Sequence, residues 1–309
     1  MSLIEVSGLV KNYGKVKALR GITFKVDKGI TGLIGPNGAG KTTTIKILLG
    51  LISSDKGEAT AFGLNCWKER DKILEKMGVL HEKPRFPQWV TGRKYLEYIA
   101  KIKGILRIDE EVERAVKICG LADFIDRKIS TYSAGMTQRL GLADALIGNP
   151  EIVILDEPTA NLDPLGRSEV LSMVKQLAKE EGVSFLISTH VLSELERICD
   201  SVVILNEGLV LEYGLVSQLV SKYASHTYVV KVNDQEKFIK NIAERISVRL
   251  EAKEEHIVVV QTENSEFFVN EVNNLIRRGV IRLYELMRLS PTLEEIFVEV
   301  LRRKSHARK

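Results

Sequence analysis

One stretch of the chain places glycines, a lysine and a threonine at the spacing G-x-x-x-x-G-K-[ST], the pattern of a phosphate-binding loop. The residues of this stretch are Gly35, Pro36, Asn37, Gly38, Ala39, Gly40, Lys41 and Thr42, with Thr43 directly after them. Glycines allow backbone N–H groups to converge on phosphate oxygens, and the N-terminus of a following helix favours an anion. We therefore expect the loop to bind a nucleoside triphosphate, with the Lys41 charge on its β- and γ-phosphates and the Thr42 hydroxyl on Mg²⁺.

Two adjacent carboxylates follow the apolar run Ile152–Leu155. A buried strand that ends in Asp156 and Glu157 places negative charge at the rim of a parallel sheet, where ligands of α/β proteins bind. We expect Asp156 to hold Mg²⁺ and Glu157 to polarise the attacking water, although acids at a strand end are often only helix caps. His190 follows the run Ser184–Ser188 and could contact the γ-phosphate, although a lone histidine is more often structural.

The elements that would position these residues alternate between strands and helices. Apolar and polar residues alternate through Ile22–Val26, as in a half-buried strand, and the run Val202–Leu205 predicts a later strand. Residues 90–130 have mostly helical spacing, with Thr91 as a predicted N-cap. This order predicts a parallel α/β core.

The pattern changes around Ser221–His226 and predicts a second, smaller domain. Alternating and helically spaced apolar residues follow in the order β-α-β-β-α-β, which is typical of a ferredoxin-like α+β domain. The last of these strands is predicted at Val280–Leu286. A final helix is predicted from Ser290-Pro291, because proline is favoured at the first helical position. We therefore expect domains at residues 1–222 and 223–309.

Composition and charge bound the partners of the chain. It has 309 residues, of which 44% are hydrophobic and 28% are charged, with a net charge of +4. Most basic residues are interspersed with acids, so we expect a solvated surface and no nucleic acid as partner. The basic end (Arg302, Arg303, Lys304, Arg308 and Lys309) could favour an anionic membrane, its alternative being a solubilising terminus. Cys66, Cys119 and Cys199 lack the spacing of metal ligands.

Further motifs connect these features to a known family. Over residues 3–215 the chain resembles the nucleotide-binding subunits of ATP-binding-cassette (ABC) transporters. The motifs that carry the resemblance are, in order, the phosphate loop, Tyr132–Met136 at the family signature, Ile152–Glu157, Leu162-Asp163 as the D-loop, and His190 as the switch histidine. The resemblance implies a P-loop NTPase cassette with an antiparallel β subdomain and a helical subdomain over about residues 83–135. Such a cassette binds ATP and Mg²⁺ and hydrolyses ATP. It also implies that Glu157, His190 and Lys41 are the catalytic residues.

The resemblance further implies partners. Two cassettes, two copies of this chain or this chain and a homologue, would share their ATP sites head to tail. The signature residues that would contact the ATP of the opposite subunit are Ser133, Ala134, Gly135 and Met136. Asp163 would cross the interface and Tyr13 would stack on adenine, its alternative being packing at a strand edge. An integral membrane transporter subunit would be driven by this dimer at the cytoplasmic face of the membrane, and Ser290–Phe297 resembles the ending of an export-type subset.

The chain departs from the family pattern in two places. Ala134 and Met136 stand where glycine and glutamine are most frequent, and we expect function to be intact. Glu82 stands where a loop glutamine usually lies. Its carboxylate could bind Mg²⁺ directly, or it could point outward while water completes the metal shell.

The surface of the helical subdomain leaves two interpretations open. Phe86, Pro87, Trp89 and Val90 form an apolar run that a soluble monomer would rarely expose, so they either receive the membrane partner or pack inside the subdomain. A cassette ATPase that acts on nucleic acid or ribosomes is the alternative class of function. It would predict tandem cassettes, a long heptad insertion or zinc-spaced cysteines, and the sequence contains none of these.

Overall fold

The computed structural model describes residues 2–224, 227–243, 245, 248–254, 256–262 and 264–306. They form two compact units: the first runs to Val216, and the second spans Ser217–Arg303. The division precedes the boundary predicted at residue 223, and that assignment of domains stays a prediction. Ser225, His226, Arg308 and Lys309 lie outside the described residues.

The elements follow one another in chain order. The strands are β1 (Ile4–Tyr13), β2 (Val16–Val26), β3 (Ile30–Ile34), β4 (Lys56–Ala61), β5 (Leu64–Asn65), β6 (Met77–Leu80), β7 (Ile152–Asp156), β8 (Ser184–Thr189), β9 (Ser201–Asn206), β10 (Leu209–Leu215), β11 (Thr227–Val232), β12 (Val248–Glu254), β13 (Ile257–Thr262) and β14 (Leu283–Arg288). The helices are α1 (Lys41–Leu48), α2 (Arg70–Leu74), α3 (Gly92–Ile102), α4 (Ile108–Ile118), α5 (Ala134–Leu146), α6 (Pro164–Glu180), α7 (Leu192–Leu195), α8 (Val216–Tyr223), α9 (Gln235–Ala243), α10 (Ser265–Arg277) and α11 (Leu293–His306).

A mixed sheet positions the predicted chemistry in the first unit. Its strand order is β10-β9-β3-β8-β7-β6, parallel except for β10, which pairs antiparallel with β9. The strands β3, β7 and β8 are buried along their whole length, which explains their continuous apolar sequence. The register aligns Asp156 with Ser188 and Ile34 with Thr189. The carboxyl ends of β3, β7 and β8 therefore meet at one edge, where ligands of open α/β sheets bind.

An antiparallel sheet of order β2-β1-β4-β5 lies in the same unit. The alternation predicted at Ile22–Val26 is confirmed, because Ile22, Phe24 and Val26 are buried while the residues between them are exposed. These side chains share one hydrophobic core with Ile45 of α1 and Ile154 of β7. One core thus packs the antiparallel sheet against the helix that follows the phosphate loop.

Helices α3 and α4 lie in the region for which a helical subdomain was predicted, and α5 begins at its end. The predicted cap is confirmed, because the Thr91 hydroxyl accepts a hydrogen bond from the backbone N–H of Lys94 at the start of α3. Contacts with α3 and α4 fix the end of α5: Lys103 donates to the Ile147 carbonyl at 2.7 Å and Arg114 to the Leu146 carbonyl at 2.9 Å. The signature lies at the amino end of α5, and these contacts fix the carboxyl end of the same helix.

The second unit has its own sheet and core. Its strand order is β12-β13-β11-β14, with all neighbours antiparallel, and α9 and α10 come in the predicted places between strands. Tyr228, Val230 and Val232 alternate into a core that also contains Phe238 and Phe268. The predicted alternation of β11 is therefore confirmed.

Two predicted boundaries in the second unit are wrong. The last strand begins at Leu283 instead of Val280, because the Val280 N–H still bonds to the Leu275 carbonyl in the closing turn of α10. The final helix begins at Leu293 instead of Pro291. Thr292 and Glu295 form a reciprocal cap, in which each side chain accepts from the other residue's N–H. That capping box sets the helix start in preference to the proline.

Candidate nucleotide-binding site

The phosphate loop connects the end of β3 to the start of α1, as its sequence predicts. Gly35 is required where the strand ends, because a Cβ there would lie 2.2 Å from the Leu205 carbonyl oxygen. Gly40 precedes α1 with a φ of +110°, a conformation that favours glycine. Ala39 is buried below the loop, while Thr42 is exposed at the first turn of the helix. The free N–H groups at the start of α1 suit a phosphate.

Lys41 is turned inward beneath this loop. Its side chain is only 6% exposed, and its ammonium group donates to the Gly35 carbonyl at 2.7 Å and to the Pro36 carbonyl at 3.4 Å. The same nitrogen lies 3.3 Å from Oε1 of Glu157. A buried ammonium group requires such partners, because a desolvated charge without them is costly. The phosphate loop and the acidic strand end therefore belong to one site.

Asp156 ends β7 as a buried carboxylate. It accepts a hydrogen bond from the Ser188 hydroxyl of the neighbouring strand. Burial raises the pKa of Asp156, the Ser188 hydrogen bond opposes this, the negative charges of Glu157 and Glu82 raise the pKa further, and His81 lowers it. Two further carboxylates thus act on Asp156 at this strand end. A cation bound there would relieve their repulsion and favour the charged form.

Glu157 takes a left-handed backbone conformation, with a φ of +48°. Such a conformation costs about 1–3 kcal/mol in a residue other than glycine and is found most often at functional sites. The second carboxylate oxygen, Oε2, lies 2.9 Å from Nδ1 of His190, which follows β8. Of the three predicted catalytic residues, Glu157 therefore contacts both Lys41 and His190.

The donor set of the site suits Mg²⁺. Among the described residues, no group of three or more His, Cys, Asp or Glu side chains could hold a metal ion alone. The Thr42 hydroxyl and the Asp156 carboxylate are hard oxygen donors, and Mg²⁺ is usually held by one or two protein oxygens with phosphates and waters. These residues fit a nucleotide-bound Mg²⁺. Glu82 is largely exposed with Oε1 3.6 Å from the Lys83 ammonium, so its role as a ligand stays a prediction.

The signature residues begin helix α5. Ser133 is its N-cap, and its hydroxyl accepts from the Met136 N–H at 3.2 Å. The Met136 sulfur lies 3.5 Å from the Ser133 nitrogen and completes the reciprocal contact of a capping box. Ser133 and Ala134 are exposed, and a Cβ on Gly135 would meet no atom within 4 Å. The helix terminus is therefore open toward solvent, and Met136 preserves its cap.

The D-loop acid has a local role. Asp163 is the N-cap of α6, and its carboxylate accepts from the Gly166 N–H at 2.9 Å while the residue is exposed. Just before it, the Leu162 carbonyl accepts from Arg167 at 2.9 Å. Arg167 also pairs with Glu194 of α7, whose other oxygen accepts from the Thr159 hydroxyl. No sequence pattern indicates this network, because Glu194 is distant along the chain from Thr159 and Arg167.

Tyr13 is partly exposed at a strand end. Tyr13 ends β1 with 47% of its surface exposed, and the Lys11 ammonium lies 5.9 Å from the ring centre. Its contact with adenine stays a prediction.

The apolar run before α3 is divided between core and surface. Phe86 is buried, with its ring 4.9 Å from that of Tyr95, while Trp89 is 76% exposed. Phe86 therefore packs inside the subdomain, and a contact of Trp89 with a membrane partner stays a prediction.

The fold and the site together define a P-loop nucleotide-binding protein. The family model described as ABC transporter matches residues 19–160. Two bacterial relatives match nearly the whole chain. The uncharacterized ABC transporter ATP-binding protein YhcH of Bacillus subtilis (strain 168) is 32% identical over 97% of this chain and 96% of its own length. The bacitracin transport ATP-binding protein BcrA of Bacillus licheniformis is 34% identical over 97% of both chains.

A solved structure agrees with these relatives. The cbiO1 protein of Clostridium perfringens, part of the ABC transporter complex cbiONQ, has a TM-score of 0.63 and 26% identity. The likeness covers 72% of this chain and 94% of cbiO1. The chain belongs to the ATP-binding proteins of ABC transporters. Among the described residues, no helix combines the length and apolar character needed to cross a bilayer.

Proposed function

We propose that the protein is the ATP-hydrolysing motor subunit of an ABC transporter that exports its cargo. The observation that carries this proposal is the contact of Glu157 with both Lys41, at 3.3 Å, and His190, at 2.9 Å. A carboxylate at the end of a phosphate-loop sheet, flanked by a phosphate-binding cation and an imidazole, is equipped to activate water beside a γ-phosphate.

The reaction follows from these contacts. Lys41 and the N–H groups of the phosphate loop bind the β- and γ-phosphates, and His190 contacts the γ-phosphate. Glu157 accepts a proton from the water that attacks the γ-phosphorus, and the bond between the γ-phosphorus and the β–γ bridging oxygen breaks to give ADP and inorganic phosphate. Thr42 and Asp156, with Glu82 as a further candidate, would hold Mg²⁺, which would supply positive charge to the phosphate oxygens. Tyr13 stacks on the adenine.

Two cassettes, identical or homologous, work head to tail in this proposal. The open helix terminus at Ser133–Met136 supports a role toward the ATP of the opposite cassette, because N–H groups at a helix start favour phosphate. Asp163 lies exposed at the D-loop and would cross the interface. ATP binding closes the dimer and hydrolysis reopens it.

The dimer drives a separate integral membrane subunit at the cytoplasmic face of the membrane. Trp89 supports a docking surface on the helical subdomain, because it is 76% exposed and tryptophan is enriched at interfaces. The ending at Ser290–Phe297 favours export. We also infer a ferredoxin-like accessory domain from residue 223 onward, on the basis of its order β-α-β-β-α-β and its antiparallel sheet.

Replacing Glu157 by glutamine tests the proposal. Glutamine keeps the shape and loses the base, so we expect ATP affinity to remain while turnover falls about 10²–10⁴-fold, the usual contribution of general-base catalysis. The variant should accumulate as an ATP-bound dimer, measured by size-exclusion chromatography. Glu151→Gln is the matched control, since Glu151 lies just before β7 and pairs with Lys76 on the surface. Near-normal hydrolysis by Glu157→Gln would exclude Glu157 as the base.

A further inference from the structure

Ser188 is a buried residue of β8 that lies beside both carboxylates of the site without contributing a charge. Its relative exposure is 0%, and the sheet register places it opposite Asp156. The Ser188 hydroxyl contacts the Asp156 Oδ1 and also lies 3.1 Å from the Glu157 backbone nitrogen. One side chain on a neighbouring strand thus touches the proposed metal ligand and the backbone of the proposed base.

The chemistry of the groups fixes the direction of these hydrogen bonds. A backbone N–H can only donate, so the Ser188 oxygen accepts from Glu157. A serine hydroxyl has one proton, and that proton is therefore available for the Asp156 carboxylate. The Ser188 carbonyl accepts from the same Glu157 N–H at 3.0 Å. Among the described residues, the bond from the Ser188 hydroxyl is the only side-chain hydrogen bond that the Asp156 carboxylate makes.

The bond to the Glu157 N–H bears on the position of the base. Glu157 has the unfavourable φ of +48°, which persists only where surrounding contacts hold it. Its N–H is held by two acceptors of Ser188, and its side chain then reaches Lys41 and His190. Loss of one acceptor would allow the Glu157 backbone to relax and its carboxylate to move.

We propose that Ser188 is a positioning residue that orients the Asp156 carboxylate toward the bound metal and holds Glu157 in its reactive conformation. This inference rests on the proposed function, because it takes Asp156 as a metal ligand and Glu157 as the base. Removal of a group that hydrogen-bonds to a metal ligand typically lowers metal affinity or activity by about 10–100-fold.

Ser188→Ala tests the inference with a readout that needs no turnover. We expect the affinity for a non-hydrolysable ATP analogue without Mg²⁺ to stay unchanged in calorimetry. The increase in affinity that Mg²⁺ produces should fall about 10–100-fold, and kcat should fall with little change in KM. Ser188→Thr keeps the hydroxyl and should restore part of the Mg²⁺ effect on affinity and part of kcat. If Ser188→Ala does not fold, Ser188→Cys preserves the shape with a weak donor and should show the same losses in smaller degree.

Ser184→Ala is the matched control on the same strand. Ser184 is also buried, but its hydroxyl accepts from the Gly29 N–H at the opposite end of β8. We expect this control to keep the Mg²⁺ effect and kcat of the wild type. Equal losses in both alanine variants, or wild-type values in Ser188→Ala, would overturn the inference. If Glu157→Gln is inactive while Ser188→Ala is normal, only the role of Ser188 fails; if Glu157→Gln is fully active, the proposed function fails first.

Discussion

At the scale of the residue, one polar group outside the site has an unusual environment. Asp144 of α5 is partly buried, and its Oδ2 accepts a hydrogen bond from the Tyr95 hydroxyl at 2.9 Å. Burial raises the pKa of Asp144, while the Tyr95 hydrogen bond and the Lys103 charge oppose the rise. The folded protein therefore binds this proton more tightly than the unfolded chain, whose aspartates have a pKa of about 3.9.

The raised pKa of Asp144 predicts that the effect of Asp144→Asn on stability depends on pH. The stability that the protonated carboxyl contributes is present below about pH 4 and is lost as pH rises through the raised pKa. Asparagine does not titrate, so the free energy of unfolding of the variant relative to the wild type should increase between pH 4 and pH 7. We expect an increase within the range of about 0.5–3 kcal/mol that is common for single substitutions.

Urea unfolding across this pH range measures the effect. Asp123→Asn is the control for net charge, because Asp123 is an exposed carboxylate in the same subdomain. A stability difference for Asp144→Asn that is constant with pH, or that falls as pH rises, would contradict the assignment.

The residue scale also shows which parts of the site a sequence can reveal. Lys41 and Asp156 were predicted because their chemistry needs neighbours at fixed spacing along the chain. Ser188 was missed, because its place opposite Asp156 depends on the register between two strands. The left-handed conformation of Glu157 and the burial of Asp144 were not predictable, because both depend on contacts between distant segments.

At the scale of the element, the amino end of α5 carries the strongest prediction about assembly. Ser133 caps this helix and is exposed, with the free helix N–H groups beside it. Ser133→Arg would place a bulky cation where the opposite ATP is expected. We expect ATP binding by the monomer to be intact and dimer formation and hydrolysis to be lost.

Complementation measures this sharing of sites. A mixture of Ser133→Arg and Lys41→Ala contains at most one intact composite site in each mixed dimer, so activity should reach at most about half of wild type. Ser221→Arg on the exposed face of α8 controls for an added arginine. Melting temperatures separate the loss of a helix cap, worth about 1 kcal/mol, from the loss of assembly. Full activity of Ser133→Arg alone would mean that the sites are not shared.

The segment before α3 predicts where the membrane subunit docks. Trp89→Ala should change stability by less than about 0.5 kcal/mol, because the side chain is 76% exposed. We expect it to reduce the amount of integral membrane subunit that copurifies from membranes. Trp67→Ala is the control, since Trp67 is 55% exposed between β5 and α2. Equal retention of the membrane subunit by wild type and Trp89→Ala would place the docking surface elsewhere.

Elements were more predictable than their boundaries. The buried strands β7, β8 and β9 were found from apolar runs, because a strand covered on both faces requires a continuous run. The start of α11 was misplaced, since the reciprocal cap of Thr292 and Glu295 outweighs the proline preference. The register between strands was not predicted at all, because it is set by pairing across the sheet and not by local sequence.

At the scale of the whole molecule, the two units have separate hydrophobic cores. The core around Phe24 and Ile45 contains buried residues no later than Leu205, whereas the second core runs from Tyr228 to Ile281. Every predicted site residue lies before the second core. Separate cores are the physical basis for independent folding of domains.

Truncation to residues 1–222 should therefore leave a folded cassette that binds ATP with the affinity of the full chain. The reason is that removal of the second core takes no buried side chain from the first. Circular dichroism and calorimetry with ATP measure the two properties, and truncation to residues 1–216 should give the same result if the division after Val216 is the functional one. Loss of ATP binding in both truncated chains would mean that the cassette needs the second unit in order to fold. Loss in the shorter chain alone would assign α8 to the cassette and place the domain boundary at residue 223.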